Sequence, residues 1–267
     1  MKLKYLLFAA LVLAAVNISI CAQGPARTYQ QMSRVERSQF VAAQAQRIGR
    51  ELSGRKYEFT PAFIEDIQQS LNKYTRRIPA EGEAANKHDL RLVIERGHAQ
   101  APAIIAAFKA RNVSPLVGLY LPWIESEYVN LSSPNPVGAI GMFQFLPKTG
   151  EHFGLTAEDL LDVNKAADAA AQYIANNMNL FANDPMKETL ALLAYNRGEQ
   201  KTVADVRALV NDSNRDCSIC ALNAARASLD ASFQNESVYY VPQFFAAAII
   251  GENPQAFGLR AQPLSAH

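Results

Sequence analysis

The sequence predicts an all-α fold, and three observations carry that expectation. Apolar residues recur three and four positions apart over several long stretches. Helix punctuation flanks some of them, with Thr60-Pro61 and Ser114-Pro115 as starts and Gly251 as a stop. No segment alternates apolar and polar residues between turn signals, so a substantial sheet is not expected. At 267 residues, 49% hydrophobic and 19% charged, the chain can bury a sizeable core.

The first 22 residues differ in kind. Lys2 and Lys4 precede an apolar run over 5–16, Asn17 breaks it, and SICAQG follows. The pattern is that of a secretory signal peptide, too short to be read as a mature membrane span. Cys21 raises the alternative of lipid anchoring, but Ile20 before it is not the small residue such a site wants. Cleavage after Cys21 or Ala22, releasing an exported protein to the periplasm or cell envelope, is the favoured expectation. Loss of Lys2 and Lys4 takes the formal charge from +1 to −1. This near-neutral balance, without a basic patch interleaved with aromatics, gives no case for nucleic acid.

The mature chain reads as helical almost throughout. Residues 33–52 are amphipathic, and a second helix runs from Pro61 through Phe63, Ile64, Ile67, Leu71 and Tyr74. Residues 77–86, with Pro79 and Gly82, read as a loop. Two further helices are expected over 88–98 and 101–111. Ser114 offers a capping hydroxyl to a helix with Pro115 at its first position, and Pro122 is expected to kink it. The Ser132–Pro136 cluster must be a loop, and Gly138 and Gly141 follow where backbone can take unusual dihedrals. Helices are then expected over 156–161, with Thr156 as cap, and over 165–181, 187–195, 221–231 and 240–250.

Cys217 and Cys220 form a C-x-x-C pair in a region without the βαβ context of a redox motif. His88, His98, His152 and His267 lie far from it in sequence, which argues against zinc. A local disulfide in an oxidising compartment is the favoured state.

One carboxylate stands out. Glu125 lies one turn after Leu121 and one before Tyr128, on a largely apolar stripe. Desolvation there raises its pKa and favours the protonated acid near neutral pH. A single such carboxyl beside a cleft is what glycosidic-bond cleavage needs as proton donor. Glu127, two residues on and roughly 200° around the helix, cannot share its site and reads as a solvated residue.

Four ordered motifs surround this position: E-S-x-Y at Glu125, Ser126 and Tyr128, then PVGAIGMFQFLPKTG, ALLAYNRG and YYVPQFFAAAII. Over about 113–258 the chain thereby resembles the lytic transglycosylases with a soluble-lytic-transglycosylase, goose-lysozyme-like catalytic domain. The L-P-x-x-E-S and Y-V-P wording is similar to the membrane-bound type D branch. The resemblance implies a lysozyme-like helical catalytic domain over 113–258. A signal peptide (1–22) and a helical N-terminal extension (23–112) are expected to precede it and a tail (259–267) to follow, with no cell-wall-binding repeat expected after Gly258.

The resemblance implies Glu125 as catalytic residue and a set of substrate-binding positions. Ser126 helps position the carboxylate, unless it only satisfies a helical carbonyl. Gln144 is a substrate-contacting amide. Met142 and Phe143 match groove-lining positions, with core packing as the alternative. Tyr195 falls near the carboxyl with Asn196 toward the sugar, against a core tyrosine and a capping asparagine. Tyr240 turns its hydroxyl to the glutamate, while Tyr239 packs. Two departures stand out: the family's loop serine could be replaced by Ser133 or by Asn135, and Glu199 brings a charge into a turn where proline is usual.

The implied reaction cleaves the β-1,4 bond between N-acetylmuramic acid and N-acetylglucosamine in peptidoglycan, with a 1,6-anhydro end as product. No metal or organic cofactor is implied, and a monomer is expected. Hydrolysis of the same bond by a goose-type lysozyme-like activity is one alternative; a catalytically silent peptidoglycan-binding scaffold is another.

Overall fold

A computed structural model describes residues 27–79 and 89–267. The signal-like segment, Cys21 and His88 lie outside the described residues. Among these residues the chain is helical, as expected, and the one β contact is an isolated antiparallel bridge between Ile140 and Phe145. The helices are α1 (Arg34–Ser53), α2 (Pro61–Thr75), α3 (Leu90–Ala110), α4 (Pro115–Ser126), α5 (Pro147–Glu151), α6 (Val163–Leu180), α7 (Lys187–Arg197), α8 (Glu199–Leu209), α9 (Ser218–Ala224) and α10 (Val238–Glu252).

Local chemistry sets the ends of the first two. Ser33 and Glu36 close a reciprocal capping box on α1, and Gly54 stops it in the left-handed conformation at φ 71°. Thr60 caps α2 through Phe63 N, with Pro61 in the first turn.

The middle of the fold is α10, which is buried on all sides, as its apolar circumference requires. It packs against α1, α2, α4 and α7, while α3 lies across α4 and α6. Phe59, ahead of α2, meets Phe245 edge-on at 5.0 Å and stacks on Phe63 at 5.2 Å. The helices before residue 113 therefore share one continuous core with those after it, from Tyr29 to Leu264. Polar crosslinks tie the same layers together. Tyr57 donates to the buried carboxylate of Glu188 at 2.7 Å, and Arg226 pairs with Asp66 at 2.7 Å.

Several expectations need correction. The two helices expected over 88–98 and 101–111 are one, α3, with Pro102 in its interior. Burial explains this: Val93, Ile94, Gly97, Ala101, Ile104, Ile105 and Phe108 continue one face through the proline. Gly251 does not stop α10, which runs on to Glu252. It is instead a point of close approach, because a Cβ there would come within 2.4 Å of the Tyr120 ring. Ser114 does not cap α4; its hydroxyl donates to the Glu51 carbonyl at 3.3 Å.

Over 156–161 only a 3-10 turn forms, Asp159–Leu161, with Thr156 and Asp159 bonded reciprocally ahead of it. In place of a helix over 221–231 there is the short α9 and a 3-10 turn, Arg226–Ser228. Helix α8 was not expected at all, and only Thr202 and Asp205 in it are buried, so it carries little apolar periodicity. The sulfur atoms of Cys217 and Cys220 are joined, just ahead of and within α9. No helix among the described residues is long and apolar enough to cross a membrane.

Candidate active site

The site begins where α4 ends. Its residues from Leu119 to Trp123 are buried, and the helix then terminates abruptly. Glu127 and Tyr128 both take left-handed backbone conformations, at φ 54° and 60°. Their N–H groups turn back onto the carbonyls of Trp123 and Pro122 at 3.1 and 3.3 Å. Such dihedrals cost non-glycine residues energy and need support. Two arginines supply it: Arg77 pairs with the Glu127 carboxylate at 2.7 Å, and Arg96 donates to the Glu127 carbonyl at 2.8 Å. Glu127 is therefore an anchor of the helix stop and not a solvated surface residue.

Stopping α4 here leaves Glu125 in its last turn, half-buried on the wall of a cleft of about 360 Å³. Asn135, Val137, Gln144, Leu146, Tyr195 and Glu236 also line this cleft. Removal from water pushes the Glu125 carboxyl up to about 7; a hydrogen bond from Tyr240 opposes that rise and the charge of Glu236 adds to it. Tyr240, in the first turn of α10, is buried and donates its hydroxyl to Glu125 Oε1. Burial and the neighbouring Glu125 charge hold the Tyr240 and Tyr195 phenols well above their ordinary value, so both remain neutral.

The opposite wall is a tight turn over 140–145. Ile140 and Phe145 close it by exchanging N–H to carbonyl bonds at 3.0 and 3.1 Å. Gly141, at φ 75°, lies against the Leu160 carbonyl, where a Cβ would approach to 2.4 Å, so no other residue fits. Gln144 adopts φ 50° and turns its side chain inward, with Nε2 donating to Gly141 O at 2.7 Å and Oε1 accepting from Asn135 at 3.2 Å. Of the two candidates for the loop position, Asn135 lines the cleft, and Ser133 is exposed and not among the lining residues.

The structure brings Glu125, Gln144, Tyr195 and Asn196 to one cleft and sets Tyr240 behind the carboxyl. Three residues expected to meet substrate sit elsewhere. Met142 and Phe143 are buried in the core, because the turn points their side chains inward and offers only their carbonyls. Those carbonyls accept from Ser126 Oγ at 2.7 Å and Tyr195 OH at 2.8 Å. Ser126 thus fastens the end of α4 to the glycine turn without lining the cleft. Asn196 accepts from Ser237 Oγ at 2.8 Å and faces Glu236.

Glu236 was missed by the sequence reading. It sits exposed on a π-helical turn, Phe233–Ser237, that leads into α10. A glutamate four residues before Tyr240, on the same side of a helical segment, was the available signal. Behind it Arg197 spans Asp205 and Asp230 at 2.5 and 2.9 Å and lies over the Phe233 ring, bracing that turn. Among the described residues no group of histidine, cysteine and carboxylate side chains is placed to hold a metal.

Residues 102–216 match the family model described as Transglycosylase SLT domain. The match includes Glu125, Gln144, Tyr195 and Asn196, and stops short of Glu236 and Tyr240. It supports, at the level of the family, a lytic transglycosylase, an enzyme acting on peptidoglycan. No curated protein matches the chain.

Proposed function

We propose that this protein cleaves the β-1,4 bond between N-acetylmuramic acid and N-acetylglucosamine and leaves a 1,6-anhydromuramoyl end. The observation that carries the reading is the Glu125 carboxyl at the cleft wall, held by the Tyr240 hydroxyl, where burial raises its pKa to about 7. An acid with that pKa is protonated at neutral pH and yields its proton readily, which suits general acid catalysis. Glu125 transfers its proton to the glycosidic oxygen as the bond from C1 breaks. The resulting carboxylate takes the proton of the muramoyl 6-hydroxyl as that oxygen bonds to C1, which restores the acid.

Gln144 and Tyr240 offer fixed dipoles where charge changes during this exchange. Asn196 and Tyr195 line the same cleft and provide polar and aromatic surface for the sugar rings. The substrate lies outside the cytoplasm, which agrees with the export signal read at residues 1–22.

One observation favours a second reading. Glu236 gives the cleft another carboxylate, and a carboxylate facing a sugar can activate water, making the protein a lysozyme-like hydrolase. Product mass separates the two, since an anhydro end is lighter than a reducing end by one water. Digestion of purified cell wall followed by mass spectrometry decides between them. Anhydro ends support transglycosylation, reducing ends support hydrolysis, and no released fragments leave a binding scaffold.

A further inference from the structure

The Asn135 side chain has one acceptor oxygen and one donor nitrogen, and its surroundings tell them apart. The backbone N–H groups of Val137 and Ala139 both donate to Oδ1, each at 3.0 Å. A backbone N–H only donates, so the oxygen must face them and Nδ2 must face away. Nδ2 then donates to Gln144 Oε1. Gln144 is constrained from its other end as well, because its Nε2 donates to the Gly141 carbonyl, which only accepts. Two independent constraints agree on one orientation of the Gln144 amide. Its oxygen is occupied by Asn135, and its nitrogen retains one hydrogen for the cleft.

We infer that Asn135 is a positioning residue: by holding Gln144 Oε1 it makes Gln144 a hydrogen-bond donor toward the glycan, suited to an acceptor such as an acetamido carbonyl. This rests on the reading of the cleft as the glycan site. The competing role is closure of the 135–139 turn alone, through the two bonds to Oδ1 and the Asn135 N–H to Ala139 carbonyl bond.

Asn135→Asp separates the two roles. A carboxylate still accepts both backbone N–H groups, so the turn persists. It has no proton for Gln144 Oε1, and repulsion between the oxygens rotates the amide. Once protonated, the acid donates again and copies asparagine. Relative to wild type at each pH, turnover of Asn135→Asp on peptidoglycan should fall to about a tenth or less at pH 7. The ratio should climb back toward one as pH drops through the pKa of the introduced carboxyl, which the two backbone N–H donors lower and the facing Gln144 oxygen raises. Asn135→Ala, which can neither accept nor donate, should be low at every pH.

The Gln144 side-chain amide, followed by nitrogen-15 NMR without substrate, should titrate with the introduced carboxyl in Asn135→Asp. This readout does not depend on the reaction. If wild type is inactive on peptidoglycan and the amide still titrates, the proposed reaction fails and the positioning role stands. Wild-type turnover of Asn135→Asp at pH 7, or a loss and an amide signal that both stay constant while the introduced carboxyl itself titrates, followed by its own carbon-13 signal, overturns it.

Discussion

The Tyr240 hydroxyl donates to Glu125 Oε1 across 115 residues of sequence, joining the first turn of α10 to the last turn of α4. That bond favours the carboxylate, and burial disfavours it more strongly. Tyr240→Phe removes the opposing influence, so the Glu125 pKa should rise further. The fall in turnover at high pH should then move to still higher pH, while the maximal rate drops about ten- to a hundredfold. Tyr239→Phe should leave both unchanged. Single-turnover rates and glycan affinity measured on both variants test this, and equal, negligible effects remove Tyr240 from the site.

Glu125→Gln keeps the shape and removes the transferable proton, so turnover should fall by about a thousandfold or more in a folded protein. The same carboxyl carries a stability signature. Its folded-state pKa stands near 7 against an ordinary 4.5, so the folded state binds the proton more tightly than the unfolded state does. Stability is then full below about 4.5, declines as pH rises to about 7, and levels off above. Glu125→Gln escapes that decline and should gain on the order of 1–3 kcal/mol over wild type at pH 8.5, with no such gain at pH 4. Denaturant melts at the two pH values check the sign. An identical difference at both means that Glu125 is not desolvated.

Gly251→Ala places a methyl against Tyr120, whose hydroxyl donates to the buried Glu252 carboxylate at 2.5 Å. Neither partner can yield, since Glu252 also receives Ser265 and α10 is packed on every side. Overpacking here should cost about 1–3 kcal/mol, read as a lower denaturant midpoint. A helix-stop role for Gly251 would make alanine neutral or mildly stabilising.

The Cys217–Cys220 disulfide closes a very short loop. Loop-closure entropy then limits its stabilisation to about 2 kcal/mol. Cys217→Ser with Cys220→Ser should lower Tm modestly and leave turnover unchanged. Thiol labelling of the non-reduced wild type should find neither cysteine free. Loss of activity in the double variant would connect this region to the cleft.

Periodicity and punctuation made α1, α2, α6 and α7 legible, because capping residues and apolar stripes act within a few residues of themselves. Glu125 and Gln144 were legible for a related reason, as polar residues inside apolar runs. Met142 and Phe143 misled, since a turn in the left-handed conformation decides which side faces the core. Glu127 misled because its partners, Arg77 and Arg96, come from the end of α2 and from α3.

The sequence by itself determined the helical class, most helix starts and the placing of the Glu125 carboxyl on an apolar stripe, all consequences of local chemistry. Tertiary structure alone decided the second carboxylate Glu236 in the cleft, the anchoring of Glu127 by Arg77 and Arg96 and the packing that makes Gly251 a contact point. These depend on burial and on contacts between distant segments. Desolvation and Coulomb interaction act through space, and no local pattern records which distant groups the fold will bring within reach.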